Sequence, residues 1–385
     1  MLRFWALDPN ITYLNHGTVG ATPKPVLEVQ QRLRDEMERQ PSRFMLREWL
    51  PQAGNPLPSR PRVRQAADAV ASFLGAAGDD VVFVDNATAG ANAILRSAEL
   101  ESGDEIIILD VAYGAVANTA AFVARERGAK LKTVVLPYPL TSSAQVIEAV
   151  AAALTPRARL AIIDHITSES ALLLPIKEIA SLCHGNGVKV LADGAHAPGA
   201  IPLDIPKIGA DWYIGNLHKW AYAPRGCGIL WCARELQKDL HPAVISHGLD
   251  KGYLAEFDWV GTKDPTSFLA APAGIEFMQR LGVEAVQRYN HTLAWDGARM
   301  LCERFGTKLD VPEEMIGTMA SWPLPEKLGS TKQHSLDLRD YLLFEENIEA
   351  LVLAWHGRLW MRISAQIYNE MADLERFAVA VEKRM

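Results

Sequence analysis

Between Pro61 and Trp231 the chain alternates short apolar, β-branched runs with amphipathic stretches. Strands are expected at Val81–Val84, Glu105–Leu109, Leu131–Val135, Arg159–Ile163 and Val188–Ala192, and in the two apolar runs Asp211–Ile214 and Ile229–Trp231. Between the earlier runs the spacing predicts helices over Val63–Leu74, Thr88–Leu100, Val116–Arg127, Ser142–Leu154 and Ile176–His184. Such alternation admits few folds. It implies an α/β protein whose mainly parallel sheet is covered by helices on both faces. Ligands on such a sheet bind at the carboxyl ends of the strands. Asn86 and Asp193 each follow one of those ends. Beyond about Gly261 the pattern changes. Long helices are expected over Pro265–Leu281 and Val283–Phe305, followed by a shorter α+β tail that carries Arg362 near its sheet. The Pro- and Gly-rich stretch Pro51–Pro61 reads as a loop.

Composition narrows the function. With 385 residues, 49% of them apolar, the chain can bury a large core and divide into two domains. A net charge of −7 without a long run of like charge argues against binding nucleic acid by phosphate neutralisation. The basic segment Arg60–Arg64 is short and reads as helix surface. No apolar stretch is long enough to span a bilayer, and the N-terminus lacks a signal-peptide core, so a cytoplasmic enzyme is expected. Cys183, Cys227, Cys232 and Cys302 have neither disulfide-framework nor zinc-site spacing, and no metal is expected.

Chemistry concentrates on Lys219, in Gly215-Asn216-Leu217-His218-Lys219-Trp220 between the last two apolar runs. A lysine held there beside a buried cleft can lose its proton and act as a nucleophile. Asp193, 26 residues earlier, ends a buried strand. This order suits pyridoxal phosphate (PLP): the lysine forms a Schiff base, and the carboxylate keeps the pyridine nitrogen protonated. Taken singly, the lysine reads as a solvated loop residue and the aspartate as a cap. The stretch Val84–Asn92 joins a strand to a helix through small residues, so its amides suit a phosphate, with Thr88 adding a hydroxyl; helix capping by Asn86 or Thr88 is the alternative. It is neither a Walker A loop nor a GxGxxG fingerprint. Tyr113, after another strand end, suits stacking on a planar ring or burial in the core. His165, just before Thr167-Ser168, suits contact with ring or substrate, or a structural role.

Several segments then carry a family resemblance: Tyr13-Leu14-Asn15-His16-Gly17-Thr18-Val19-Gly20, Asp164-His165-Ile166-Thr167-Ser168, Asp193-Gly194-Ala195-His196-Ala197-Pro198-Gly199, Asn216-Leu217-His218-Lys219-Trp220, Gly261-Thr262-Lys263-Asp264 and Arg362–Asn369. In this order they resemble the class V aminotransferase group of fold-type I PLP enzymes, and within it the isopenicillin N epimerase-like proteins. The resemblance implies a large PLP-binding domain, 16–255, with a mainly parallel seven-stranded sheet, and a smaller α+β domain of 1–15 and 256–385. It implies that Lys219 carries the cofactor, that Asp193 pairs with the ring nitrogen and that His196 approaches the phenolic oxygen. Tyr113 would stack on the ring, with His165 and Ser168 also at the cofactor. Ala87, Thr88, Asn216 and His218 would surround the phosphate, and Thr262 would reach that of a neighbouring subunit in a homodimer with shared sites. Arg362 would clamp the substrate carboxylate with bidentate geometry, Asn15 and His16 would line the substrate pocket, and Arg43 is the next candidate for the clamp.

The desulfurases of this group carry a sulfur-accepting cysteine in the C-terminal part. None follows Cys302 here, which disfavours that reaction. The resemblance ranks an epimerase or racemase first, then a β-lyase including C–S lyases, then an aminotransferase. A PLP-fold binding protein without catalysis is the outside alternative, against which the intact Lys219 and Asp193 argue.

Overall fold

The structure is a computed structural model and describes residues 1–49 and 60–385. Up to position 59 the expected Pro51–Pro61 loop lies outside the described residues.

Twelve strands are described: β1 (Thr12–Tyr13), β2 (Val81–Val84), β3 (Glu105–Leu109), β4 (Lys130–Val134), β5 (Ala158–Asp164), β6 (Lys189–Gly194), β7 (Trp212–Asn216), β8 (Gly228–Cys232), β9 (Met319–Pro323), β10 (Ile348–Glu349), β11 (Leu351–Trp355) and β12 (Arg358–Ser364). Seven of them form one sheet in the order β2-β8-β7-β6-β5-β3-β4. Pairs from β7 to β4 are parallel, and β8 runs antiparallel to both its neighbours. The expected mainly parallel α/β sheet is therefore present, with each strand within a residue or two of its expected bounds.

The pleat explains why the strands read as unbroken apolar runs. Ile107, Ile163, Val190 and Ile229 enter one core, together with residues of the helices Arg62–Phe73, Ala144–Ala153 and Ile176–Gly185. Their strand neighbours Ile106, Ile162, Leu191 and Leu230 enter a second core, with Ala91, Ile94 and Leu95 of Ala87–Ser97 and Val116, Ala120 and Val123 of Gly114–Arg127. Successive side chains point to opposite faces, and both faces are buried. At the β4 edge, Lys130 is exposed and Lys132 partly so, charges that disfavour further strand addition.

Two expectations change. Pro265–Leu281 is two helices, Thr266–Leu269 and Ala271–Leu281. Pro272 lies in the first turn of the second, where its missing N–H costs nothing, but inside one continuous helix it would break a bond and clash with the preceding turn. Val283–Phe305 is continuous, as expected. Arg64, expected on a helix surface, is buried. Its Nη1 donates to the Val81 carbonyl at 2.9 Å, and its Nη2 lies 3.0 Å from Asp258 Oδ1. The helix Tyr253–Asp258 packs against β2 and closes over that face, so the third position of Arg62–Phe73 points into protein. Burial pushes the Asp258 carboxyl up to about 6, against the pull of Arg64.

In the tail, β11, β12 and β9 form an antiparallel sheet with β12 central. The N-terminal segment joins it: β1 pairs with β10, Asn15 bridges Ser364, and the Ser364 amide donates to the Leu14 carbonyl at 2.8 Å. Residues 14–20 thus run between the tail sheet and the turn that carries Lys219.

Candidate active site

A cavity of about 360 Å³ opens at the carboxyl ends of the parallel strands. It is lined by Asp164 at the end of β5, Asp193 at the end of β6, Asn216 at the end of β7 and Lys219 one turn beyond. Asn86, Ala87 and Thr88 contribute the start of Ala87–Ser97, and Tyr113, Ser168, His196 and His218 complete much of the wall. Nine of the expected site residues therefore meet around one space.

One part of the wall is the start of the helix Ala87–Ser97. Asn86 caps the helix by accepting the Ala89 amide at 2.9 Å, and Asn216 Oδ1 accepts the Ala87 amide at 2.9 Å. These bonds tie the helix start to the end of β7, so the helix dipole faces the cavity beside the lysine turn. His218 Nδ1 lies 2.9 Å from the Cys227 carbonyl and 3.4 Å from the Cys227 amide, contacts that anchor that turn to the start of β8.

At the other end the electrostatics are set by burial. Lys219 is 7% exposed, and its Nζ lies 3.1 Å from His196 Nε2. Burial, and then the charge of Arg362, lower the amine to about 7, although Asp193 opposes this. Burial likewise holds His196 well below the usual histidine range, assisted by the charges of Lys219, Arg362 and His218. Asp193 Oδ1 accepts the Ala195 amide at 3.0 Å. Burial raises the Asp193 carboxyl, while the Ala195 bond and Lys219 lower it. Asp164 stands in register with Asp193 across β5 and β6 and is raised well above its ordinary value, by burial first and by Asp193 second.

Arg362 is 1% exposed in β12. Nη1 donates to the Ser168 carbonyl at 2.7 Å, and Nη2 donates to Asn15 Oδ1 at 3.0 Å and Thr18 Oγ1 at 2.8 Å. Every one of these acceptors is neutral. Its Nε has no hydrogen-bond partner among the described residues. Glu370 and Asp373, the carboxylates that a structural pair would use, instead cap the helix Met371–Glu382. A buried guanidinium without a carboxylate is costly.

The remaining expected residues lie elsewhere. His16 is fully buried and is not part of the cavity wall: Nδ1 lies 2.9 Å from the Tyr368 hydroxyl and Nε2 2.9 Å from the Lys219 carbonyl. His165 turns away from the cavity, with Nδ1 3.0 Å from the Tyr213 hydroxyl, and lines a separate apolar depression. Arg43 is exposed and paired with Glu48 at 2.6 Å. Thr262 lines a different surface depression, beside Gly261 and Trp259. Asn15 holds Arg362 and donates to Glu349 at 2.9 Å. Residue-by-residue reading passed over two members of the site. Thr18 lines the cavity and accepts from Arg362, and Asp164 lines it beside Asp193. Both stand in the segments that carry the family pattern, but only strand register and the path of residues 14–20 bring them to the cleft.

Lys219 and Asp193 are both buried on the cavity wall. A flat, phosphate-bearing pyridine fits what lies between: an aldehyde for the amine, a cationic ring nitrogen for the buried carboxylate, and a helix N-terminus for the phosphate. The fold and this donor set define a fold-type I PLP enzyme. Residues 59–377 match the family described as Aminotransferase class-V, and the chain belongs to that family of PLP-dependent enzymes. It is 32% identical over 403 residues to a probable L-cysteine desulfhydrase, chloroplastic, of Arabidopsis thaliana, covering 97% of this chain and 83% of that protein. It is 30% identical over 395 residues to the isopenicillin N epimerase of Streptomyces clavuligerus, covering 98% and 95%. Among solved structures, a complex of a cystine C–S lyase with its product cysteine persulfide superposes with a TM-score of 0.76 at 20% identity, covering 96% and 97%. This last likeness speaks to the fold alone.

Proposed function

We propose that the protein is a PLP-dependent C–S lyase acting on a compact, cysteine-type amino acid. One observation carries the reading: Lys219, its amine lowered to about 7 chiefly by burial, lines a cavity of only about 360 Å³, and Arg362, with neutral acceptors only, stands behind the Thr18 and Ser168 wall of that cavity. That volume lies near the lower end of the ~300–1,000 Å³ found for ligand sites, yet it has to take cofactor and substrate together. It favours a small free amino acid over a bulkier substrate. The desulfhydrase relatives, at 31–32% identity, support the same class.

In this reading the Thr88 amide and hydroxyl, with Asn216 and His218, would hold the phosphate, while the Ala87 amide, already bonded to Asn216 Oδ1, would border it. Asp193 would meet the ring nitrogen and Lys219 the aldehyde carbon, while Tyr113 would cover the ring. PLP, when bound, withdraws electrons from the substrate Cα and weakens its bonds. Arg362 orients the α-carboxylate, exchanging its neutral acceptors for a charge-assisted pair. Lys219 Nζ would take the Cα proton, the electron pair left on Cα would form a Cα–Cβ double bond, and the Cβ–S bond would break with its pair leaving on sulfur as a thiolate. His196, beside the lysine, donates from Nε2 toward the phenolic oxygen.

An epimerase is the second reading, and the 30% identity to an isopenicillin N epimerase over 98% of this chain favours it. Inversion with two acid–base groups needs them on opposite faces of Cα. Lys219 and His196 stand side by side, and that arrangement is why the lyase is preferred. We also propose a homodimer with shared sites, because Thr262 lies apart from the cavity within one chain. A cytoplasmic setting is part of the same reading, and the four buried free cysteines suit a reducing compartment.

The test is incubation of the holoenzyme with cysteine and a panel of amino acids in deuterated water. A lyase releases sulfide, ammonia and pyruvate from L-cysteine in equal amounts. Cα deuteration with an inverted product and no keto acid would establish the epimerase instead. Absence of both across the panel would remove both readings.

A further inference from the structure

Residues 14–20 touch both halves of the chemistry. At one end Asn15 Oδ1 and Thr18 Oγ1 accept from Arg362, and Thr18 Oγ1 also donates to Asn15 Oδ1 at 2.5 Å. At the other end His16 reaches the backbone of Lys219. The segment is clamped where it passes. A Cβ on Gly17 would meet Met319 Sδ at 2.6 Å, Ser364 Oγ at 2.9 Å and the Trp220 ring at 3.3 Å. Gly20 has φ +69°, and a Cβ there would collide with the His218 carbonyl oxygen. The two glycines let this backbone lie directly on the lysine turn and on the Arg362 strand.

The hydrogen bonds of His16 settle its proton. The Lys219 carbonyl only accepts, so Nε2 must carry the hydrogen. Nδ1 is then bare and accepts the Tyr368 hydroxyl. The ring is fully buried and packs 5.0 Å from Trp220 and 5.8 Å from Tyr368. Tyr368 lies six residues beyond Arg362 on the same chain segment.

We propose that His16 is a positioning residue. Its Nε2–H holds the carbonyl of Lys219 and, through Tyr368 and the Asn15–Thr18 turn, ties the lysine to the strand that carries Arg362. Substrate recognition and proton abstraction then share one rigid strut, so the amine is held in place relative to the carboxylate clamp. This replaces the expectation that His16 touches substrate. It rests on Lys219 as the cofactor lysine and not on which reaction follows. Small displacements of a reacting group carry large rate penalties, as much as ~100-fold for about 1 Å.

The test has two parts. In holoenzyme labelled with ¹⁵N at histidine, the resonances that vanish in His16→Gln should show a protonated Nε2 and a bare Nδ1. The opposite tautomer would overturn the proposal, whatever the enzyme's reaction. In kinetics, His16→Met keeps apolar bulk but removes the donor. It should lower kcat about tenfold with KM within about twofold, and move the pH midpoint of the visible cofactor band. His16→Gln, which can still donate to the carbonyl, should recover most of kcat. A rise in KM with unchanged kcat would make His16 a substrate contact. A lower Tm with kcat and the band unchanged would make it simple packing. If His16→Met does not fold, Tyr368→Phe leaves the ring in place and frees Nδ1. It should shift the Nδ1 resonance and lower kcat to a lesser degree, and an unchanged resonance would overturn the proposal.

Discussion

His196 Nε2 lies 3.1 Å from Lys219 Nζ, and on the far side of the imidazole the Trp220 indole N–H points at Nδ1 from 3.5 Å. An indole nitrogen can only donate, so the arrangement favours the tautomer with hydrogen on Nε2. The lysine then receives that hydrogen, which requires a neutral amine. Burial of both groups acts in the same direction, since a cation at either would lack a carboxylate partner in contact. An amine lowered to about 7 can act as a nucleophile near neutral pH.

Lys219 should bear the cofactor. Borohydride treatment of the yellow protein should bleach the visible band and leave a pyridoxyl mass adduct on the Lys219 peptide. With the folded amine near 7 and not 10.5, the free base dominates above neutral pH. PLP addition to cofactor-stripped protein should therefore accelerate through a midpoint near 7 and plateau by pH 8 to 9. An adduct on another lysine, or a rate still climbing at pH 10, would contradict the assignment.

Asp193→Asn should retain PLP and the fold, because the Ala195 amide bond needs only an oxygen acceptor. It removes the charge opposite the ring nitrogen. Turnover should fall by roughly two orders of magnitude or more, in line with loss of a major electrostatic contributor. Near-normal turnover would direct attention to Asp164, which stands beside it in register.

Arg362→Lys should raise KM strongly, by about 2–4 kcal/mol in binding, because an ammonium cannot reproduce the bidentate fork. The cofactor spectrum should be unchanged. Binding of amino acids at wild-type strength would show that Arg362 serves only Asn15, Thr18 and Ser168. Arg43, exposed and paired with Glu48, is not placed to substitute for it.

Stability should fall on mild acidification. Burial lowers His16, His165 and His218 to about 4. Between 4 and the ordinary 6.5 the unfolded chain binds the protons and the folded chain does not, so stability is full above 6.5 and is lost as pH falls toward 4. Each ring contributes on the order of 3 kcal/mol at the acid end of that window. Urea midpoints of the PLP-saturated protein should drop steadily from pH 7.5 to 4.5. A flat series would mean that these rings open to solvent without unfolding.

How much of the site was legible depended on how far each residue's surroundings lie along the chain. Lys219 and Asp193 stand at ends of strongly apolar strands, and in a parallel sheet such ends converge on one edge, so local pattern placed them together. Asp164 also ends a strand, but its importance comes from its register with Asp193 across β5 and β6, a pairing that no local pattern specifies. Arg362 was legible as a buried cation because its apolar flanks announce a core strand. Its neutral acceptors, from positions 15, 18 and 168, were not.

Local pattern specified the α/β alternation, the parallel sheet and the place of Lys219 and Asp193 at strand ends on one edge of it, since periodicity and strand ends are properties of short stretches. Tertiary structure alone decided where the side chains of irregular segments point. His16 sits in the Asn-His-Gly turn, where sequence suggests a pocket residue, yet contacts with Lys219 and Tyr368, 203 and 352 residues away, turn it inward. Arg64 reads as helix surface until the helix ending at Asp258 covers it. His165 follows a strand end as Asp193 does, but the Tyr213 hydroxyl draws it to the other side. In each case a polar group is buried by a distant part of the chain and must find its hydrogen bond there, so the partner that packs against it sets its direction.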